Sequence, residues 1–155
     1  MVPGLGYFYS GLARRKSALS LIFICFLSYT VVCFQWYFWG YSLAFSSTAT
    51  NGFIGNLDSF CLINVLALPS VGSAYISELL YAVFQCQFGA VAFAIWIGAA
   101  AERGRVLPII PIAFVWMTLV YCPLACWAWS ANGWAYKYGV LDYAGGGPGK
   151  CPRRS

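Results

Sequence analysis

The sequence predicts an all-α, polytopic membrane helix bundle. Of its 155 residues, 61% are hydrophobic and only 8% are charged. Soluble domains carry about 25% charged residues, and a soluble chain of this length has too small an interior to bury so much apolar surface. Aromatic residues make up 19% of the chain and cluster near the ends of apolar runs, which is typical of membrane interfaces. The expected solvent is therefore a lipid bilayer.

Two apolar segments open the chain. Residues 1–13 are glycine-rich and would extend only about 20 Å as a helix, short of the ~30 Å hydrocarbon core. We interpret them as the second half of a membrane helix, with a short re-entrant or interfacial segment as the alternative. Residues 18–45 carry no formal charge and are long enough for a full span. The aromatic residues at 36–41 predict an interfacial belt at its far end.

A loop and a second full span follow. Residues 46–56 are rich in Ser, Thr, Asn and Gly, which predicts a loop, and residues 58–73 are predicted to be a partly ordered loop. The second full span is predicted at 76–101. Small residues recur within it at spacings of four, and such rows let helix backbones pack closely. These residues are Gly89, Ala90, Ala94 and Gly98.

The third full span is predicted at 107–130, after a short charged turn at 102–105. Pro108 and Pro111 fall in its first turns, where proline is tolerated. Pro123 lies inside the span and predicts a kink. The predicted bundle therefore contains the half span and, in addition, about three full transmembrane helices.

Two short basic loops set the predicted orientation. One follows the half span and the other separates the second and third full spans, so the chain returns to the same side between them. Because Lys and Arg are enriched in cytoplasmic loops, both loops are placed in the cytoplasm. The basic residues are Arg14, Arg15 and Lys16 in the first loop, and Arg103 and Arg105 in the second. The basic residues of the tail, within 150–154, would then face outside, against the same rule.

Composition argues against several functions. The chain has no His and no Cys-x-x-Cys pair, which argues against a zinc site. The net charge of +5 is confined to short blocks without interleaved aromatic residues, which argues against nucleic-acid binding. The four carboxylates form no pair in sequence, and no nucleophile motif or phosphate loop is present. We therefore predict neither catalysis nor a cofactor.

Cation transport needs polar or π-rich groups at a membrane mouth. Phe84 and Phe88 share one helix face, where they would either close a pore or face lipid or the core. Gln85 carries an uncharged amide that needs a partner in a membrane. Trp129 offers a ring face that attracts cations, with an interfacial anchor as the alternative. Asp142 precedes a predicted helix start, which it would cap, or it would hold negative charge near a cation path.

Four stretches carry a family resemblance. They are VPGLGYFYSGLARRK at 2–16, FQWYFWGYSLAF at 34–45, GAAAERGR at 98–105 and LDYAGG at 141–146. With these motifs in this order, the chain resembles the ammonium transporter family and looks closest to fungal ammonium permeases. The resemblance implies a partial ammonium-transporter fold, with a domain at 1–148 and a divergent, disordered basic tail at 149–155.

The resemblance also implies a multi-pass plasma-membrane protein that forms homotrimers. In each subunit, ammonium is recruited at an outer vestibule, loses its proton and crosses a narrow apolar pore. Aligned on the motifs, Trp129 matches the vestibule tryptophan that attracts the cation, and Phe88 matches a phenylalanine at the pore mouth. Phe84 and Gln85 match its neighbours. Asp142 matches an aspartate at the outer start of the fifth helix.

The sequence departs from the family after the glycine-rich stretch. Family members continue into an apolar helix with a pore-lining histidine, which is absent from this sequence. We therefore expect the chain to be a front portion of an ammonium channel. The alternative is a truncated, non-conducting membrane protein that associates with or modulates full-length transporter subunits.

Overall fold

A computed structural model describes residues 1–70, 72–100 and 105–140 of the chain. Within these ranges the backbone is mostly helical, and three helices are long and apolar enough to cross a membrane. They comprise Lys16–Phe45, Glu78–Ala99 and Val106–Lys137. The predicted membrane helix bundle with three full spans is therefore confirmed. Helices predominate because the backbone groups of a helix bond to one another, whereas lipid offers them no hydrogen-bond partner.

A shorter helix precedes the first long one. Helix α1 (Val2–Leu12) ends at Ala13, whose backbone is extended, and this break turns the chain into the next helix. Gly6 of α1 packs against Cys25 of that helix, because a methyl group on the glycine would lie 3.4 Å from the Cys25 Cβ. The predicted half-length helix over residues 1–13 is confirmed.

The first long helix widens near its far end. Helix α2 (Arg15–Gln35) continues through a π-helical segment, Trp36–Gly40, into α3 (Tyr41–Phe45). Single π turns inside α-helices are rare and often lie at functional sites. The Trp36 ring lies directly against Gly40, where a Cβ would be 3.0 Å from the ring carbon Cε3. A larger residue at this position would therefore displace the ring.

The predicted aromatic belt at this end is only partly correct. Tyr37 is half exposed, as a belt requires, but Trp36 and Tyr41 are buried. The Trp36 indole N–H donates to the Ala82 carbonyl over 3.0 Å, and the Tyr41 hydroxyl donates to the Glu78 carboxylate over 3.0 Å. An aromatic ring whose polar edge finds a partner on a neighbouring helix is stable inside the protein. Because these hydrogen bonds are available inside the bundle, Trp36 and Tyr41 are buried and do not lie at the membrane interface.

The segment after α3 contains a loop and a short hairpin. Gly55 donates its N–H to the Leu43 carbonyl over 2.8 Å, which folds the loop back onto α3. Strand β1 (Pro69–Ser70) then pairs antiparallel with β2 (Ser73–Ser77). The sequence predicted a loop at 46–56, which is confirmed, but it did not predict the hairpin.

The second long helix begins later than expected. The predicted start at residue 76 is wrong, because Ile76 and Ser77 belong to β2 and α4 is Glu78–Ala100. Ser77 pairs with Pro69 in the hairpin, so the residues before Glu78 are extended and cannot belong to the helix.

The small residues of α4 lie at packing surfaces, as predicted. Ala90 and Ala94 are buried. A Cβ on Gly89 would lie 2.6 Å from the Met117 side chain, and a Cβ on Gly98 would lie 2.5 Å from the Tyr9 ring. Helix α4 therefore approaches both α1 and the third long helix closely through these residues.

The third long helix also contains a π-helical segment. Helix α5 (Val106–Trp116) passes through Met117–Tyr121 into α6 (Cys122–Trp129), and a short helix α7 (Trp134–Lys137) follows. Pro123 comes directly after the π turn. Proline lacks an N–H and crowds the carbonyl four residues earlier, and a wide turn relieves this crowding. The structure shows the π segment Met117–Tyr121 before Pro123, and the kink at Pro123 stays a prediction. Residues 102–104 of the predicted charged turn lie outside the described ranges.

The two π segments are joined inside the bundle by a polar contact. The fully buried Gln35 donates its amide to the Phe114 carbonyl over 2.9 Å and to the Thr118 hydroxyl. The Trp39 indole N–H also reaches the Thr118 hydroxyl, over 3.3 Å. We call Gln35, Trp39 and Thr118 the polar clamp. It joins the first and third long helices where lipid offers no competing partner.

The polar clamp makes a stability prediction. Thr118→Val keeps the side-chain shape but removes the hydroxyl, and we expect it to lower the free energy of unfolding by about 1 kcal/mol. Denaturation in mixed detergent micelles, followed by circular dichroism, measures this change. The matched control is Thr30→Val, because the Thr30 hydroxyl bonds only within its own helix, to the Phe26 carbonyl. Equal stability changes in the two variants would contradict the clamp.

Candidate functional site

The predicted site lies where the three long helices end or begin on one side of the bundle. Phe45 is the last residue of α3 and Trp129 the last of α6, while α4 starts at Glu78. Beyond Trp129 the chain turns, and the Gly133 N–H donates to the Ser130 carbonyl over 3.0 Å. All three long helices therefore contribute side chains to this end.

Trp129 lies at the centre of an aromatic cluster. The Phe88 ring meets it edge to face, with centroids 5.3 Å apart at 82°. The Phe45 ring is parallel to it at 6.5 Å, and the Tyr121 ring lies 6.4 Å away at 70°. Trp129 is only 9% exposed, so the indole packs within the protein and not as an exposed interfacial anchor. We call Phe45, Phe88, Tyr121 and Trp129 the aromatic cluster.

The cluster has one partly open side. Phe88 is 36% exposed and Phe84, one helical turn earlier, is 59% exposed. The Phe84 and Phe88 centroids are 6.3 Å apart. The structure therefore brings Phe88 and Trp129 together, whereas Phe84 contacts Phe88 and none of the other rings of the cluster among the described residues.

A polar pair lies beside the aromatic rings. Gln85 is buried and donates its amide to the Tyr81 hydroxyl over 2.9 Å. This bond gives the amide N–H group of Gln85 a partner within the protein. The Gln85 carbonyl oxygen and the Tyr121 hydroxyl are buried without a hydrogen-bond partner among the described residues. Both are available to a donor that enters this end of the bundle.

One carboxylate lies close to the aromatic cluster. Glu78, at the N-terminus of α4, accepts a hydrogen bond from Tyr41, and the Tyr41 and Phe45 rings are 5.7 Å apart. A carboxylate in a first turn complements the positive end of the helix dipole. No group of three metal-ligating side chains occurs in the described part of the chain. Asp142, the fifth predicted site residue, lies outside the described residues.

Loops from the first long helix cover part of this end. The Trp127 indole N–H donates to the Phe53 carbonyl over 2.6 Å, and the two rings are 4.8 Å apart. The Asn132 amide donates to the Ser47 carbonyl over 3.2 Å. The Trp127 side chain therefore contacts a loop, whereas the Trp129 side chain, two residues later, is buried inside the bundle.

Sequence reasoning missed three contributors to the site: Phe45, Tyr81 and Tyr121. Phe45 and Tyr121 contact Trp129 from other turns of the bundle. No spacing within one helix reveals Phe45, because it meets Trp129 only after separate helices pack. Tyr121 lies on the same long helix as Trp129, eight residues earlier, which is about two helical turns. The contact of Tyr81 with Gln85 could have been predicted from the sequence, since Tyr81 precedes Gln85 by four residues and that spacing brings side chains together on a helix.

The sequence matches a known family over most of its length. Residues 1–148 match the model of the Ammonium Transporter Family. Over 148 residues the chain is 60% identical to Ammonium transporter 2 of Schizosaccharomyces pombe and 60% identical to Ammonium transporter MEP3 of Saccharomyces cerevisiae. These alignments cover 96% and 95% of this chain, but 29% and 30% of the relatives. The chain therefore spans less than a third of the length of these curated relatives.

The backbone is also similar to those of solved transporters. The crystal structure of Saccharomyces cerevisiae Mep2 gives a TM-score of 0.83 at 53% identity and covers 93% of this chain and 33% of that one. Candida albicans Mep2 gives a TM-score of 0.85 at 44% identity and covers 95% of this chain and 32% of that one. The described helices thus form part of the fold seen in these structures.

The polar pair beside the cluster makes a second stability prediction. Tyr81→Phe removes the acceptor of the Gln85 amide and leaves a buried donor unpaired, so we expect a loss of about 1 kcal/mol in the free energy of unfolding. Detergent-micelle denaturation measures it. Tyr138→Phe is the control, because Tyr138 is 83% exposed. If both variants are as stable as the parent, the hydrogen bond contributes nothing measurable.

Proposed function

Because this chain belongs to the ammonium transporter family, we propose that it contributes the outer mouth and three membrane-spanning helices of an ammonium-conducting protein. The chain is a multi-pass membrane protein, and the relatives it matches are named as transporters, which supports a non-enzymatic role. We assign residues 1–148 to the transporter domain and residues 149–155 to a separate tail.

The observation that carries this proposal is the edge-to-face contact between Phe88 and Trp129. We propose that ammonium binds against the Trp129 ring at the outer end of the bundle. A cation entering this region loses hydration, and an indole face compensates for part of that loss, by up to about 2 kcal/mol when the site is dry. The Gln85 carbonyl, which has no donor among the described residues, supplies an acceptor for one ammonium N–H.

Phe88 is proposed to close the mouth behind the bound cation. An ion that moves deeper meets apolar side chains, which do not stabilise charge, so ammonium is proposed to lose its proton before it passes. Phe84 lies one turn nearer the outer end and is proposed to line the approach. Asp142 follows the third long helix in sequence, and we propose that its carboxylate attracts the cation or orders the start of the next helix.

The proposal also covers the orientation of the chain in the membrane and its assembly. We infer that the short connections before α2 and α5, with the basic residues Lys16 and Arg105 beside them, face the cytoplasm, because short basic loops are retained there. We further propose a homotrimer in the plasma membrane. This assembly is consistent with the large apolar surface that the described helices expose, including Leu80, Ile95 and Leu119.

The same exposed surface supports a second candidate function. A membrane protein that uncovers apolar helix faces can pack against other helices through them. Under this alternative the chain does not conduct ammonium but associates with full-length transporter subunits and modulates them. The two candidates differ in whether the chain transports ammonium without a complete partner.

A chimera tests the ammonium site. Residues 1–148 replace the matching segment of Saccharomyces cerevisiae Mep2, and ammonium uptake is measured in cells without other ammonium transporters. We expect uptake, and we expect Trp129→Leu in the chimera to raise the half-saturating ammonium concentration about 5- to 30-fold, because it removes the cation–π contact. Trp134→Leu is the control, since Trp134 is half exposed and outside the aromatic cluster. An unchanged half-saturating concentration in the Trp129 variant would refute the binding role.

Co-expression separates the two candidate functions. The tagged 155-residue chain is expressed alone and together with full-length Mep2, and uptake and co-purification are measured in both cases. Uptake by the chain alone supports conduction. Co-purification together with altered Mep2 uptake, and no uptake by the chain alone, supports modulation.

A further inference from the structure

A groove lies at the opposite end of the bundle from the aromatic cluster. It has a volume of about 500 Å³ and opens on the surface of α2, beside the first residue of α5. Its lining is apolar except for one hydroxyl. The lining residues are Leu19, Ser20, Ile22, Phe23, Phe26 and Val106. The last of the α2 residues, Phe26, lies ten positions beyond Lys16, so the groove extends about 15 Å along the helix from the basic end.

Two cations flank the mouth of this groove. Lys16 precedes Leu19 by one helical turn, and Arg105 directly precedes Val106 as the N-cap of α5. Both side chains are exposed, and neither forms an ion pair or hydrogen bond with another described residue. The acidic residues within the described ranges, Asp58 and Glu78, both lie at the other end of the bundle. Among the described residues, therefore, no carboxylate offsets the positive charge at this mouth.

The backbone adds to this positive field. Helices α2 and α5 both begin at this end, and neither N-terminus has a side-chain cap or an acidic residue in its first turn. The unpaired N–H groups of a helix N-terminus favour a bound anion. They would therefore support an anion that Lys16 and Arg105 hold.

We propose that this groove binds an anionic phospholipid of the cytoplasmic leaflet, with one acyl chain along α2 and the headgroup phosphate between Lys16 and Arg105. Charge complementarity selects this occupant. The positive-inside rule places both cations on the cytoplasmic side, where anionic lipids are concentrated and basic pockets between helices bind their headgroups. The groove surface is apolar and opens on the surface of α2, so an acyl chain can fill it without displacing polar partners. The proposal does not depend on ammonium binding.

Native mass spectrometry of the 155-residue chain in detergent micelles tests the site. Phosphatidylserine and phosphatidylcholine with identical acyl chains are titrated separately. We expect tighter binding of phosphatidylserine, and we expect Lys16→Gln with Arg105→Gln to weaken that binding about 25-fold, or about 5-fold for each charge. Ser20→Trp fills the groove from an exposed position and is expected to weaken binding of both lipids.

Two further variants keep the test decisive. Lys137→Gln removes an exposed cation at the other end of the bundle and is expected to leave lipid binding unchanged. Lys16→Arg with Arg105→Lys retains both charges and is expected to retain binding, while circular dichroism compares helical content among all variants. Equal affinity for the two lipids, phosphatidylserine binding that Ser20→Trp does not reduce, or loss of binding in the charge-retaining variant would each overturn the proposal. A dimer that Ser20→Trp abolishes would also overturn it, since a second chain would then occupy the groove.

Discussion

The structure depends on one constraint: a polar group inside a bilayer is costly unless it finds a partner within the protein. The interior side chains that break the apolar pattern show how the chain meets it. Gln35 on the first long helix bonds to the third, and the Trp36 indole bonds to the second. Each bond joins two helices that lipid alone would not hold together, because hydrocarbon supplies no hydrophobic force between them. Close packing of complementary surfaces also holds the helices together, as where the Met117 side chain lies against Gly89.

The two ends of the bundle differ in charge and chemistry. One end has the carboxylates of Asp58 and Glu78, one exposed cation, Lys137, and the aromatic cluster, whereas the other has exposed Lys16 and Arg105 beside an apolar groove. Basic groups favour the cytoplasmic surface through lipid and translocation effects. A site that receives a cation benefits from being distant from them, because it then avoids like-charge repulsion. The inferred orientation in the membrane and the position of the proposed cation site are therefore both consistent with the way charge is distributed between the two ends of the bundle.

The sequence predicted the long spans well because lipid leaves few solutions: a long apolar run must be a helix, and rows of small residues must pack. It predicted less wherever the outcome depended on a partner from another helix. Trp36 and Tyr41 were assigned to an interfacial belt, yet Ala82 and Glu78 draw them inside. The hairpin before α4 is short and has weak local signals. For the site, Phe88 and Trp129 were proposed from the sequence, while Phe45 emerged only from the packing of another helix against Trp129.

The π segments connect the bilayer interior to the aromatic cluster. Trp36 opens the first segment and Tyr121 closes the second, and their rings lie 6.2 Å apart. Tyr121 in turn contacts Trp129. A π turn adds a residue to the helical turn and so changes which face the following side chains present, and the residues after each segment include Phe45 and Trp129 themselves. The polar clamp, which joins these segments, therefore also fixes how the rings at the helix ends are aimed. A disturbance at Gln35 or Thr118 would reach the cluster through this chain of rings, although neither residue belongs to it.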